Sequence, residues 1–273
     1  MSLNNQESKK NKIVPLVESP EAIVEIRGMP SKILRLILVR NLAGKELTDE
    51  KIQDFKRLTL VQGCLIFSLF LLDLFKYFGF PYHVEIAETI FFASLGFYAF
   101  NLWDMLRNYA TSQRIILINF IFIMGVFLVG FIAVNPFFPM PITPAYKTVL
   151  AGIQVCLLVV EGTVIYYTLM EFFKKDLGMS MRLWGAACIY LMIGLAFGSA
   201  YELVCILEIQ CMGVDIPLRA IGMMNRCELS LMVLSGMESP YGNAIGMIFS
   251  MGMVEALLGQ LFIVLIVGRL LMK

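Results

Sequence analysis

Residues 115–134 read IILINFIFIMGVFLVGFIAV, a run of twenty residues without a charged side chain. A helix needs about 20 mostly apolar residues to cross the hydrocarbon core of a bilayer. That core offers no water to the backbone, so a chain crossing it must pair its own N–H and C=O groups, as an α-helix does. The run therefore predicts a transmembrane helix and indicates the class of the whole protein.

The composition of the chain agrees with a membrane-embedded protein. Of its 273 residues, 59% are hydrophobic and 16% are charged, and the mean hydropathy is +0.78. Soluble domains carry about 45–50% apolar and about 25% charged residues, so a water-soluble globule is excluded. The low charge and the lack of a Gly-X-Y repeat exclude disordered and collagen-like chains. The net charge of +1 gives no basis for binding nucleic acid.

The residue types that usually build metal or catalytic sites are scarce. The chain has one histidine, His83, and six cysteines without a Cys-X-X-Cys pair. This leaves little material for zinc binding or for Ser-His and Cys-His catalysis. We therefore expect no enzyme activity, no metal and no organic cofactor, and the sequence identifies no small-molecule substrate.

Six stretches are long and apolar enough to span a bilayer. They lie at roughly 58–79, 86–105, 115–135, 147–172, 182–207 and 246–270. The predicted fold is an all-α membrane protein with six transmembrane helices. Its predicted parts are a cytoplasmic N-terminal arm with amphipathic helices over 1–57, a four-helix transmembrane bundle over 58–175, and a last pair of spans.

The N-terminal arm carries eleven of the 22 Lys and Arg residues. Its polar opening has no apolar run directly behind it, unlike a secretory signal peptide. Residues 30–40 (PSKILRLILVR) form either an interfacial helix on an anionic leaflet or a linker helix packed on the protein. A cytoplasmic N-terminus puts eighteen of the 22 positive residues inside and four outside. The positive-inside rule thus predicts a multi-pass protein of the cell membrane (plasma or inner), with both termini cytoplasmic.

The segment between the last two spans is too polar to face lipid. Residues 218–237 are moderately apolar but contain Arg219, Asn225, Arg226 and Glu228, and the turn-forming residues 239–243 follow. One interpretation is a re-entrant helix with an extended return, which at membrane depth requires burial in protein or a water-filled path. The other interpretation is an ordinary extracellular loop of about 40 residues between the last two spans.

The last span reads MVEALLGQLFIVLIVGRL over residues 253–270. It resembles the inner helix of prokaryotic potassium channels of the two-helix pore type, whose run has the form E-A-x-x-G-Q-L-[YF]-x-x-x-x-V-[AG]-R-L. The matching residues are Glu255, Ala256, Gly259, Gln260, Leu261, Val267, Arg269 and Leu270. Residues 184–197 are similar, more weakly, to the outer helix of that family. The resemblance implies a pore domain over 180–273 (outer helix, pore loop, inner helix), one quarter of a pore in each chain, and hence a homotetramer that passes potassium or another monovalent cation through the lipid bilayer.

The chain departs from that family at the selectivity filter. Where the family has T-x-G-Y-G-D, the equivalent positions are Glu238, Ser239, Pro240, Tyr241, Gly242 and Asn243. Proline is fixed near φ ≈ −65° and lacks an N–H, whereas the filter glycine that it replaces visits positive φ. The usual ladder of carbonyl ligands therefore does not form through Pro240.

Two functions follow from this departure, and a third rests on acids within the first four spans. In the first, the chain forms a tetrameric cation channel whose filter is a ring of Glu238 carboxylates with little potassium selectivity. In the second, the pore module is a non-conducting scaffold of a regulatory or sensing membrane subunit. In the third, the chain is a secondary transporter or sensor that uses the acids Asp73 and Glu161, although no two related halves are visible. Voltage sensing is not expected, because no Arg or Lys lies between Lys147 and Lys174 in span four.

Several further residues carry specific expectations. Asp73, in the outer half of span one, and Glu161, in the middle of span four, have two interpretations. They form an ion or proton relay or a ligand site in the first four spans, or they are protonated or hydrogen-bonded carboxyls inside the bundle. Glu202 is expected to pair with Arg219 or Arg226. Family resemblance implies that Gly252 and Gly259 allow the inner helix to bend, although close packing through small residues is the alternative. Glu255 either braces the filter-supporting helix or lines the pore. Gln260, which also matches the family's inner helix, is a second candidate residue for the pore or its gating. A disulfide between Cys211 and Cys227 is an open question.

Overall fold

The computed structural model describes residues 45–109, 112–133, 141–173, 178–207, 220–237 and 246–271. These residues form seven α-helices and contain no β-strand. In chain order the helices are α1 (Lys45–Tyr77), α2 (His83–Tyr109), α3 (Gln113–Ala133), α4 (Pro144–Phe172), α5 (Met179–Leu207), α6 (Ala220–Leu234) and α7 (Met247–Leu271).

Six of these helices, all except α6, are long and apolar enough to cross a membrane. This confirms the predicted number of spans and the all-α membrane fold. The sequence also predicts a short helix that begins with Thr48 or Asp49 as its N-cap and runs through residues 51–55 into the first span. In the structure this helical flank is part of α1, which begins slightly earlier, at Lys45. The predicted interfacial helix over 30–40 lies outside the described residues.

Local sequence signals explain where the helices begin and end. At the end of α1, Gly79 adopts φ +68°, and the Phe80 N–H donates to the Phe75 carbonyl at 3.0 Å while the two rings pack edge to face. This is a Schellman cap with its accompanying hydrophobic contact. At the start of α4, the Thr143 hydroxyl oxygen accepts from the Tyr146 N–H at 3.1 Å as an N-cap.

Helix α5 lies at the centre of the fold. It packs against α1, α4, α6 and α7 and is the most buried of the six long helices. One apolar core joins side chains of the first four helices to α5 and α6, including Leu102, Leu157, Ile189 and Cys227. The predicted bundle and the predicted pore domain therefore share a single core.

Helix α6 is the short helix of the polar segment. Its fifteen residues span about 22 Å at 1.5 Å per residue, which is less than a bilayer core of about 30 Å. It is buried between α1, α2, α5 and α7. Near its start, the Ile221 N–H donates to Glu88 at 3.0 Å in the second turn of α2, and its last residue, Leu234, lies against Gly259, halfway along α7. Residues 220–237 are therefore an internal helix and not a surface loop.

Candidate functional site at the short helix

Glu255 on α7 is the polar centre of the contact between α5, α6 and α7. Its side chain is fully buried, at 0% exposure. The Tyr201 hydroxyl of α5 donates to one carboxyl oxygen, and the Ser230 hydroxyl of α6 contacts the other. Because its own chain encloses it, Glu255 does not line an aqueous path in this conformation, and its contacts are those of a brace on α6.

The hydrogen-bond pattern around Glu255 is satisfied in full when its carboxyl group carries a proton. The Ser230 oxygen also lies 2.5 Å from the carbonyl oxygen of Gly194. Ser230 has one hydroxyl hydrogen, and a carbonyl oxygen can only accept. When Ser230 donates to Gly194, the hydrogen between Ser230 and Glu255 must come from the carboxyl group. A protonated Glu255 satisfies all of these buried groups without placing a net charge in the core.

The C-terminal end of α6 is held by both long helices. Gly236 adopts φ +78° and donates to the Val233 carbonyl at 3.0 Å, while the Met237 N–H donates to the Met232 carbonyl at 2.9 Å. These two bonds form a Schellman cap, in which the glycine supplies the left-handed backbone conformation that ends the helix. The Tyr190 hydroxyl of α5 donates to the remaining Leu234 carbonyl at 2.9 Å.

Gly259 and Gly252, seven residues apart on α7, differ in their surroundings. A Cβ atom at Gly259 would lie 2.5 Å from the Leu234 carbonyl oxygen, whereas a Cβ at Gly252 would lie 3.7 Å from the Tyr201 hydroxyl and 3.9 Å from Val233. Close packing therefore accounts for the glycine at 259. Gly252 has room for a methyl group.

A buried ion pair ties α5 to α6. The Arg226 guanidinium lies 2.6 Å from the Glu202 carboxylate, and the two side chains are 1% and 4% exposed. This confirms the predicted pairing of Glu202 and selects Arg226 as its partner. Charged pairs so deeply buried depend on each other, because removal of either leaves an uncompensated charge.

The opposite face of α7 is uncovered in the single chain. Gln260 is exposed there among large apolar side chains. They include Met253, Leu257, Leu261 and Val264. This face is available to lipid or to other polypeptide chains.

The other predicted site residues are the six filter-like residues and the two acids of the first four spans. The filter-like residues Glu238, Ser239, Pro240, Tyr241, Gly242 and Asn243 lie outside the described residues. Asp73 is exposed on α1, whereas Glu161 is fully buried on α4, so the two acids occupy different environments.

The cysteines do not pair as Cys211 with Cys227. Cys227 is free and buried in α6, whereas Cys205, at the end of α5, is disulfide-bonded.

Sequence reasoning missed Tyr190, Tyr201 and Ser230. Each lies far along the chain from its partner, with 44 residues between Tyr190 and Leu234 and 54 between Tyr201 and Glu255. The sequence feature that could have identified them is a polar hydroxyl group within an otherwise apolar helix.

Comparison with known proteins finds no matching family model, no matching curated protein and no matching solved structure.

Proposed function

We propose that this chain is one subunit of a homotetrameric cation channel of the cell membrane, with the pore built from α5, α6, α7 and residues 238–243. The permeant ion is potassium or another monovalent cation, which crosses passively. The resemblance of residues 253–270 to a channel inner helix motivates this function.

The observation that carries the proposal is that α6 is held in place by contacts with α5 and α7. This helix is too short to span the membrane, and residues of the two flanking helices contact its C-terminal half. Tyr190 donates to the Leu234 carbonyl, Glu255 contacts Ser230, and Gly259 packs against Leu234. A helix C-terminus has a partial negative charge, which favours a nearby cation. These contacts support a role for α6 as a fixed element of the proposed pore module.

The uncovered face of α7 supports assembly. An apolar face that includes the polar Gln260 suits contact with identical chains around a water-filled path better than contact with lipid alone. Four copies would place four such faces around one axis.

The filter sequence determines the expected selectivity. Pro240 prevents the glycine-dependent carbonyl ladder, and four Glu238 side chains would form a carboxylate ring. Such a ring attracts cations but discriminates weakly between potassium and sodium.

Ion flux into liposomes that contain the purified full-length chain tests this function. We expect potassium and sodium to enter at comparable rates. Glu238→Gln should reduce both fluxes, whereas Glu85→Gln, which removes an acid from the first turn of α2, should leave them unchanged. Sharp discrimination for potassium would contradict the carboxylate ring. Liposomes that stay silent for every cation would favour the non-conducting scaffold.

Native mass spectrometry of the same preparation tests assembly. A tetramer is expected, and a clean monomer or dimer would contradict the pore. The measurement also separates a channel that fails to assemble from one that assembles but does not conduct.

The proposed orientation has both termini in the cytoplasm. It rests on the distribution of Lys and Arg. The disulfide at Cys205 supports it, because disulfides persist in oxidising compartments, and this orientation puts the end of α5 outside the cytoplasm.

A further inference from the structure

An exposed stripe of residues on α1 changes from charged to apolar within one helical turn. It begins with two basic residues and continues at helical spacing with apolar or small ones, namely Lys56, Arg57, Leu60, Gly63, Cys64 and Phe67. Of the apolar members, Leu60 is 68% and Phe67 is 61% exposed. In a helix that crosses a bilayer, such a change marks the boundary between the headgroup layer and the hydrocarbon core.

The length of α1 agrees with a boundary at Lys56 and Arg57. The 18 residues between Arg57 and Lys76 contain one charged side chain, Asp73. At 1.5 Å per residue they span about 27 Å, which is close to a hydrocarbon core of about 30 Å. Lys76 therefore marks the opposite boundary, where Asp73 lies one turn away and offsets its charge. The boundary at Lys56 and Arg57 instead has two adjacent cations.

The two cations are both accessible. The guanidinium groups of Arg57 and Arg107 each lie 3.3 Å from an oxygen of Asp104, so one carboxylate is shared between them. The Arg57 side chain remains 50% exposed. Lys56 is exposed and forms no ion pair with the residues that the structure describes. The boundary therefore presents a free ammonium group next to a guanidinium group that Asp104 holds in place.

The stripe also has open space for a hydrocarbon chain. A Cβ atom at Gly63 would meet no atom within 4 Å, so a notch separates the exposed side chains of Leu60 and Phe67. Side chains on a helix tilt towards its N-terminus, which directs Lys56 and Arg57 away from this notch and towards the headgroup layer. The cations and the notch are thus placed to contact the two ends of one lipid molecule.

We propose that Lys56 and Arg57 bind the phosphate group of an anionic phospholipid, with an acyl chain along Leu60, Gly63 and Phe67. Ammonium and guanidinium groups both donate charge-assisted hydrogen bonds to phosphate oxygens. A zwitterionic lipid carries its own positive group and gains less from two cations than an anionic lipid does. The site requires only that α1 spans a bilayer, so it does not depend on conduction or on the orientation of the chain.

Native mass spectrometry of the full-length chain in detergent tests the site by titration with two dioleoyl lipids. Phosphatidylglycerol should bind more tightly than phosphatidylcholine. Lys56→Gln should weaken the binding of phosphatidylglycerol about fivefold, which is the usual contribution of one basic residue at an anionic surface, and Lys56→Arg should retain it. Lys76→Gln is the matched control, because it removes an exposed lysine at the other end of the same helix and should leave the affinity unchanged.

Gly63→Leu tests the position of the acyl chain. The new side chain would fill the notch, so the affinity for phosphatidylglycerol should fall although both cations remain. An unchanged affinity would contradict the placement of the chain on this stripe.

Three results would overturn the proposal as a whole. The first is equal affinity for the two lipids. The second is an undiminished preference for phosphatidylglycerol in Lys56→Gln, which would place the anionic lipid elsewhere on the protein. The third is displacement of phosphatidylglycerol by an equal concentration of inorganic phosphate, which would indicate a site for free anions.

Discussion

The acids of this protein are accommodated in different ways at the level of single residues. Glu202 is neutralised by Arg226, and Glu255 is enclosed by two hydroxyl groups. Glu161 is buried with the Ser199 hydroxyl beside its carboxyl group. The burial of a carboxyl group in an apolar core is costly, so each solution implies a different response to substitution.

Glu255→Gln should preserve the brace on α6, whereas Glu255→Ala should weaken it. The glutamine amide can donate to Ser230 and accept from Tyr201, as a protonated Glu255 does. Alanine leaves both hydroxyl groups buried without that partner, at a cost of about 1–3 kcal/mol each when a group stays unsatisfied. Unfolding in detergent measures the difference, with Glu85→Gln in the first turn of α2 as the matched control. A glutamine variant as unstable as the alanine variant would contradict the assigned proton.

Gly259→Ala should lower the free energy of unfolding, whereas Gly252→Ala should raise it. At residue 259 the new methyl group would lie 2.5 Å from a backbone oxygen, so overpacking should cost about 1–3 kcal/mol. At residue 252 the space is sufficient, and alanine should stabilise the helix by up to about 1 kcal/mol. The melting temperatures of the two variants provide the comparison. Equal effects would indicate that both glycines serve bending.

The sequence could not distinguish these two glycines. Both belong to one helix, and their spacing of seven residues puts them on one face of it. Their difference arises from Leu234, which reaches Gly259 only because α6 ends at that depth. The role of Ser230 was hidden for the same reason, since its partners lie 25 and 36 residues away.

At the level of helices, the pairing of α5 with α6 depends on charge as well as on apolar packing. Arg226 is fully buried in a helix that is too short to cross a membrane. Its pairing with Glu202 allows a polar helix to enter an apolar core. The polar character that marked residues 218–237 in the sequence therefore has a structural cause.

Arg226→Met should destabilise the protein strongly, and the double substitution with Glu202→Leu should recover much of the loss. Removal of one partner from a buried pair costs about 3–5 kcal/mol, because the other charge stays uncompensated, whereas apolar replacement of both is often neutral. A double-mutant cycle of unfolding free energies measures this coupling. Additive losses from the two single substitutions would show that the pair is energetically independent.

The helices themselves were largely predictable from apolar runs. Residues 115–135 were expected to span, and the helix is found at Gln113–Ala133. The helical flank of the first span was predicted from the capping residues Thr48 and Asp49, but α1 begins slightly earlier, at Lys45. The existence of α6 was expected from its composition, but its burial against α1 and α2 was not.

At the level of the whole molecule, the common core limits how independently the two halves can move. Side chains from α1, α2 and α4 pack with those of α5 and α6 in one cluster. Hydropathy could not reveal this arrangement, because an apolar side chain is equally suited to lipid, to a neighbouring helix and to another subunit. A change in the first four helices therefore reaches α6 through direct contacts.

The orientation of the molecule can be tested with a matched pair of exposed positions at helix starts. Tyr82, next to α2, and Met179, the first residue of α5, are 73% and 61% exposed and lie on opposite sides of the proposed membrane. Eighteen of the 22 Lys and Arg residues favour the side of Met179. In a chain with Cys64 and Cys156 replaced by alanine, an impermeant maleimide should label Tyr82→Cys in intact cells. Met179→Cys should react only after the cells are permeabilised, which also shows that it is reachable. Labelling in the reverse order would place both termini outside and contradict the proposed orientation.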